Sequence, residues 1–171
     1  VQAFDPYLAD EVFERHGVQK VDWITLLNTS DVITFHVPLN DETRGMISEM
    51  EIERMKPGVI LLNTARGGVI NETSLLNALH SGHVAAAGID TWEVEPPRDN
   101  PFSQLPQVVM SPHIGASTSE AQIRIAESIA TQVPRALRGE VVDFPVNMPS
   151  VKVLPTSPVR HYTTLVEKMG M

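Results

Sequence analysis

The chain has 171 residues, of which 42% are hydrophobic and 20% charged, as expected for one globular domain with a single core. Its formal net charge of -8 disfavours binding to nucleic acid and to anionic membrane surfaces. The absence of cysteine excludes disulfides, thiolate zinc sites and cysteine nucleophiles. With no apolar run long enough for a membrane span, we expect a soluble protein, and the lack of cysteine fits a cytoplasmic location.

Short apolar runs rich in strand-forming residues alternate with helical patterns along most of the chain. The predicted strands are Val1–Asp5, Asp31–Val37, Val59–Thr64, Val84–Asp90 and Val108–Ser111. The predicted helices between them are Ala9–His16, Trp23–Thr29, Glu49–Met55 and Glu72–His80. Strands that alternate with helices predict an α/β fold, in which a parallel sheet is covered on both faces.

The remaining boundaries follow from capping and turn signals. Capping boxes are predicted at Ser48 with Glu51 and at Ser117 with Glu120. A long helix is predicted from Thr118 to Leu137, and a proline-rich stretch follows Asn147. We therefore predict one domain over residues 1–149, then a linker and the truncated start of another domain over 150–171. Because Val1 opens directly into an apolar segment, we expect the natural start upstream.

Five polar residues stand at the ends of predicted strands or in the loops that follow them: Asp5, Arg66, Asp90, Glu95 and His113. In open parallel sheets, ligands bind beyond the carboxyl ends of the strands. This shared placement predicts a functional site at that edge.

The residue types suggest acid binding and proton transfer. Arg66 lies in NTARGG, where Gly67 and Gly68 allow close approach to a ligand and a guanidinium can hold a carboxylate. A histidine side chain in general has an unperturbed pKa of ~6.5, which suits proton exchange near neutrality. His113 is therefore a candidate acid/base, and Glu95 could orient it. The alternatives are a solvated turn arginine, a structural histidine and, for Asp5, a turn residue before Pro6.

The other histidines give no metal signature. His16, His80, His83 and His161 have no carboxylate or second histidine arranged for a metal, so we predict no metal site. His36, at the end of the second predicted strand, is expected to line a ligand pocket, with a buried structural role as the alternative.

Four ordered blocks carry a family resemblance: DVITFHVPLNDETRGMI, MKPGVILLNTARGGVINE, AAAGIDTWEVEP and SPHIGASTSEA. Together they resemble the signature blocks of the D-isomer-specific 2-hydroxyacid dehydrogenases, from about Val1 to Pro149. The resemblance implies a Rossmann-like, doubly wound parallel sheet that binds NAD. It is incomplete, because the glycine-rich GxGxxG turn and its preceding strand, expected just upstream of Val1, are absent.

The same resemblance implies residue roles. Arg66 would clamp the substrate carboxylate and its keto or hydroxyl oxygen, His113 would be the acid/base, and Glu95 its partner. Asp5 would bind the adenosine ribose, and Asp90 would contact the nicotinamide amide. The expected cofactor-binding set is Asp5, His36, Pro38, Thr64, Ala65, Arg66, Asp90, His113 and Gly115.

The implied reaction is hydride transfer between NAD and a small 2-hydroxyacid or 2-keto acid, in a protein expected to be a homo-oligomer. HIGAST followed by SEA, and the VVDFPVNMP segment, look most like phosphoglycerate dehydrogenases of serine biosynthesis. Glyoxylate or hydroxypyruvate reduction, formate oxidation and a non-catalytic NAD-sensing module are the alternatives. Departures from the family pattern are Asn71 in place of the common Asp and Thr91-Trp92 in place of a frequent Val-Phe pair.

Overall fold

The computed structural model describes residues 1–143, 145 and 146, and the chain divides into two compact units. The first unit is Val1–Gly115, and the second begins at Ala116. The predicted linker and domain start at 150–171 lie outside the described residues, as does the predicted boundary itself.

The first unit alternates strands with helices. Its strands are β1 (Gln2–Ala3), β2 (Gln19–Lys20), β3 (Val32–Phe35), β4 (Val59–Asn63), β5 (Val84–Ile89) and β6 (Val108–Met110). Its α-helices are α1 (Asp10–Arg15), α2 (Trp23–Thr29), α3 (Glu49–Arg54) and α4 (Glu72–Ser81), with a 3₁₀ turn at Pro101–Gln104. Every element predicted in this unit is present, with ends displaced by at most one or two residues. Strand β2 and the 3₁₀ turn were not predicted, because such short elements carry no periodic pattern.

The strands are parallel and form two sheets. One sheet has the order β3-β4-β5-β6, and the other contains β1 and β2. This arrangement confirms the predicted α/β, Rossmann-like class. Within the described residues, neither β1 nor β2 pairs with a strand of the four-stranded sheet. The side chain of Gln2 instead connects β1 to the end of α2, donating to Thr29 Oγ1 at 2.8 Å and Ser30 Oγ at 3.0 Å.

The core lies around β4, which is paired on both sides. Val59 and Leu61 on this strand are at most 1% exposed, and Leu27 of α2 and Leu75 of α4 are equally buried. Apolar burial of this kind contributes roughly 1.5–3 kcal/mol for each large side chain. Because the four strands are parallel, their carboxyl ends share one edge, and the loops after β4, β5 and β6 begin there.

Helix ends show one prediction confirmed and one wrong. Ser48 and Glu51 form the predicted capping box at α3, with the Ser48 N–H donating to Glu51 Oε2 at 3.0 Å. In the second unit, helix α5 (Ser119–Leu137) is capped by Thr118, whose Oγ1 accepts the Ala121 N–H at 3.1 Å. The predicted Ser117 box is therefore wrong, because the helix starts one residue later. Over the described part of the chain, no helix is both long and apolar enough to cross a membrane.

Candidate active site

Asn63, the last residue of β4, fixes the backbone of the loop that carries Arg66. Its buried side chain accepts the Ala65 N–H at 3.1 Å and donates to the Arg66 carbonyl at 3.0 Å. Arg66 itself is exposed, with one guanidinium nitrogen donating to the Ala65 carbonyl at 2.6 Å. The loop backbone is thus fixed while the rest of the guanidinium faces solvent. Asn63 was not among the predicted site residues, although a polar residue at the end of an apolar strand was a signal for it.

Gly67 is in close contact with the loop after β5. A Cβ at this position would lie 1.9 Å from the Trp92 carbonyl oxygen, so no larger residue fits without backbone movement. The sequence predicted that this glycine gives room to a ligand, whereas the neighbour is the protein's own backbone. The Arg66 loop and the Glu95 loop therefore meet directly.

Glu95 and His113 come together across two loops. His113 Nδ1 lies 2.9 Å from Glu95 Oε2, and the Trp92 N–H donates to Glu95 Oε1 at 3.1 Å. The hydrogen bond with His113, and next the one from Trp92, lower the pKa of Glu95 below its usual value. Both side chains are partly exposed, at 38% for Glu95 and 41% for His113. A carboxylate with its charge retained therefore orients an accessible imidazole.

The His113 loop has an unusual backbone that Asp90 stabilises. His113 has a φ of 60°, a left-handed conformation uncommon outside glycine. Asp90, 7% exposed at the end of β5, accepts the Ser111 hydroxyl at 2.6 Å and the Ile114 N–H at 2.9 Å. Its second oxygen accepts the Gly115 N–H at 3.1 Å.

These contacts also determine the charge on Asp90. Burial raises the pKa of this carboxyl, but the hydrogen bonds from Ser111, Ile114 and Gly115 outweigh it and leave the pKa below the usual value. The resemblance implied a contact with the cofactor amide. Both carboxylate oxygens instead hold the His113 loop, a role that was not predicted for Asp90.

Trp92 and Thr91 complete the junction between the loops. The Trp92 indole N–H donates to the Ser111 carbonyl at 2.9 Å, which connects the Glu95 loop to the start of the His113 loop. The buried Thr91 hydroxyl has no hydrogen-bond partner among the described residues. It lines a small cavity together with Asn63, Glu72 and Leu75.

The residues expected to bind cofactor lie at the ends of several strands. Asp5 Oδ1 accepts the Tyr7 N–H at 2.8 Å, so Asp5 does form a turn. The Tyr7 hydroxyl donates to Glu42 at 2.5 Å and joins this turn to the loop after β3. His36 is exposed, with Nε2 3.0 Å from Thr34 Oγ1. Pro38, Thr64 and Gly115 are exposed as well, whereas Ala65 is 9% exposed and belongs to the core.

The described histidines outside this site have other surroundings. His83 Nε2 lies 2.8 Å from the Ile52 carbonyl oxygen, just after the left-handed cap Gly82 of α4. In the part of the chain that the structure describes, no cluster of three potential metal-binding side chains occurs.

Comparison with known families settles the classification. The family model for the D-isomer specific 2-hydroxyacid dehydrogenase, NAD binding domain, matches residues 1–115. The chain belongs to this family. The match ends at Gly115, where the first compact unit also ends.

Curated relatives and solved structures agree with this membership. The chain is 46% identical to the D-3-phosphoglycerate dehydrogenase of Archaeoglobus fulgidus, over 99% of its own length and 32% of that protein. It is 39% identical to the enzyme of the same name from Bacillus subtilis, with 99% and 32% covered. It thus spans about a third of these relatives.

Two solved structures have the same fold over most of the chain. The D-lactate dehydrogenase with NAD+ from Lactobacillus jensenii has a TM-score of 0.77 and 28% identity, covering 86% of this chain and 48% of that one. A glyoxylate reductase from Paecilomyes thermophila has a TM-score of 0.75 and 35% identity, covering 82% and 43%.

Proposed function

We propose that the complete protein is an NAD-dependent D-2-hydroxyacid dehydrogenase that interconverts 3-phosphoglycerate and its 2-keto acid, a reaction of serine biosynthesis. The observation that carries the proposal is the Glu95–His113 pair, 2.9 Å apart, beside a loop that presents an exposed arginine. These three groups supply what oxidation of a 2-hydroxyacid needs: a proton acceptor, a group that orients it and a cation for the substrate carboxylate.

The hydrogen bond to Glu95 assigns separate tasks to the two ring nitrogens of His113. With Nδ1 engaged by the carboxylate, Nε2 exchanges a proton with the substrate oxygen. The proton leaves the hydroxyl in oxidation and returns to the carbonyl oxygen in reduction. Arg66 holds the substrate carboxylate and opposes negative charge on the reacting oxygen.

The strand-end residues fit NAD. Asp5 Oδ2 has no hydrogen bond to the described residues, so it can accept from a ribose hydroxyl while Oδ1 holds the turn. Exposed His36, Pro38 and Thr64 follow neighbouring strands and can line the cofactor's bed. When bound, the nicotinamide accepts or donates the hydride.

Phosphoglycerate is favoured as substrate because relatives named D-3-phosphoglycerate dehydrogenase match nearly the whole chain at 39–46% identity. Glyoxylate or hydroxypyruvate reduction is the second candidate, supported by the similarity to a glyoxylate reductase structure. We further propose a cytoplasmic homo-oligomer with small-molecule substrates and no nucleic-acid or membrane partner, in keeping with the net charge of -8 and the lack of cysteine.

A substrate panel on the complete protein tests the proposal. We expect NAD-dependent turnover of 3-phosphoglycerate above that of glycerate, lactate and formate. His113→Asn should lower turnover by ~10²–10⁴-fold while NADH binding persists, because asparagine tolerates the left-handed backbone but cannot act as the acid/base. The exposed His80 provides the control, and His80→Asn should retain full turnover.

Three results would contradict this function. NADH binding without turnover of any 2-hydroxyacid would indicate a sensing module. Turnover of formate alone would indicate formate oxidation. A clear preference for glyoxylate or hydroxypyruvate would replace the substrate assignment.

A further inference from the structure

The loop that carries Glu95 has a second attachment, to the first residue of α4. Glu72 accepts the Glu93 backbone N–H at 2.7 Å, and the Glu93 carboxylate accepts the Glu72 N–H at 3.4 Å. Glu93 lies two residues before Glu95. The attachment is therefore reciprocal and close to the proposed catalytic pair.

The surroundings of Glu72 suggest that its carboxylate serves the Glu95 loop. Glu72 is partly buried and lines the small cavity described above together with Thr91. Burial raises its pKa, the Glu93 N–H opposes this, and the Glu93 charge raises it further. Within the described residues no lysine, arginine or histidine forms an ion pair with it. Burial of the Glu72 carboxyl costs free energy, and this carboxyl accepts a hydrogen bond from one backbone N–H of the loop, that of Glu93.

Two attachments fix the same short segment from different elements. The Trp92 carbonyl rests against Gly67 of the Arg66 loop, and the next peptide N–H, that of Glu93, is held by Glu72. The Trp92 N–H in turn donates to Glu95 at 3.1 Å. Movement of the Glu93 peptide would therefore move the backbone from which the Glu95 side chain reaches His113.

We propose that Glu72 is a positioning residue that places Glu95 against His113 by holding the Glu93 N–H. This inference rests on the proposed dehydrogenase function for its kinetic consequence. Its geometric consequence concerns the Glu95–His113 hydrogen bond alone and is measurable without turnover.

The kinetic test compares Glu72→Ala with Glu72→Gln in the complete protein. Glu72→Ala removes one hydrogen bond to a charged acceptor. We expect this loss to lower kcat about tenfold and to change KM for NAD+ less. Glu72→Gln keeps a carbonyl acceptor and should stay within about twofold of the wild type. Glu53, exposed on α3, is the matched control, and Glu53→Ala should have no effect.

A double-variant cycle shows whether the effect passes through Glu95. In a Glu95→Gln background, Glu72→Ala should cause no further decrease in kcat, because the pairing it supports is already lost. Additive decreases, or a Glu72→Ala variant with wild-type kcat, would overturn the inference.

A spectroscopic arm separates this inference from the proposed function. NMR titration of carboxyl-labelled glutamate, with Glu95 assigned through Glu95→Gln, should show that Glu72→Ala raises the pKa of Glu95 towards its usual value. This result would support the inference even in a protein inactive on hydroxyacids, where only the proposed function fails. An unchanged pKa of Glu95 would refute the positioning role, even if stability falls.

Discussion

His113 Nδ1 lies 2.9 Å from Glu95 Oε2, although one residue follows β6 and the other follows β5. The contact depends on the adjacent carboxyl ends of two paired parallel strands. It also depends on a left-handed backbone at His113, with a φ of 60°. The proposed proton transfer therefore relies on loop geometry as much as on residue type.

The first prediction concerns the charge on Glu95. Because the His113 hydrogen bond lowers the pKa of Glu95, His113→Asn should raise that pKa towards the usual value. The pairing should contribute stability above the usual glutamate pKa and lose it as pH falls through the lowered one. NMR titration of the Glu95 carboxyl measures this shift. A pKa that stays low in His113→Asn would mean that Trp92 alone maintains the ionised form.

The second prediction concerns the His113 loop. Asp90→Asn leaves one acceptor oxygen in place of the two that hold Ser111, Ile114 and Gly115. We expect a loss of about 1–3 kcal/mol of unfolding free energy at neutral pH. Since the folded pKa of Asp90 is lowered, the wild-type contribution is present above the usual aspartate pKa and is lost on acidification through the lowered value. The difference in unfolding free energy between Asp90→Asn and the wild type should therefore become smaller at acid pH.

Urea unfolding at several pH values measures this gap. Asp41→Asn is the control, because Asp41 is exposed in the loop after β3. A gap that widens as pH falls would contradict the role assigned to Asp90.

The third prediction concerns the contact between the Arg66 and Glu95 loops. Gly67→Ala would place a methyl group 1.9 Å from the Trp92 carbonyl oxygen, so one loop must move. We expect kcat to decrease by more than tenfold, because displacements of about 1 Å near a reacting centre can cost ~10²-fold. Gly82→Ala at the end of α4 is the control, since no atom outside its immediate chain neighbours lies within 4 Å of its Cβ position. It should cost only about 1–2 kcal/mol of stability through its left-handed backbone. Equal kcat values in the two variants would show that the loop contact is not needed.

The fourth prediction concerns the Thr91 hydroxyl, which is buried and has no partner among the described residues. Thr91→Val replaces it with a methyl group of similar shape, so stability should rise by about 1–3 kcal/mol. Thr91→Ser, which keeps the hydroxyl and loses the methyl, should instead lower stability. Thermal and urea unfolding distinguish the two. A destabilised Thr91→Val would show that a water molecule satisfies the hydroxyl in the adjoining cavity.

Local patterns were sufficient for most elements of the first unit and for selecting residues at the carboxyl ends of its strands. Strand and helix periodicity, with turn residues between elements, placed β3 to β6 and α1 to α4 within one or two residues. Parallel strands also require that residues following them meet at one edge, which is why Arg66, Glu95 and His113 could be singled out together. The Ser48 capping box was readable because both partners lie within four positions of each other.

Contacts between residues distant in sequence were decided only by the tertiary structure. Three contacts are of this kind, and each joins segments that follow different strands. They are the Gly67 contact with Trp92, the hydrogen bonds from the His113 loop to Asp90, and the Glu72–Glu93 attachment. Their residue types are ordinary at turns and helix starts, so no local pattern marks them. The tertiary structure also decides that β1 and β2 form a sheet of their own, because strand pairing depends on which strand edges are adjacent in space. Sequence periodicity determines which residues face a core, whereas the packing of whole elements determines which loops touch.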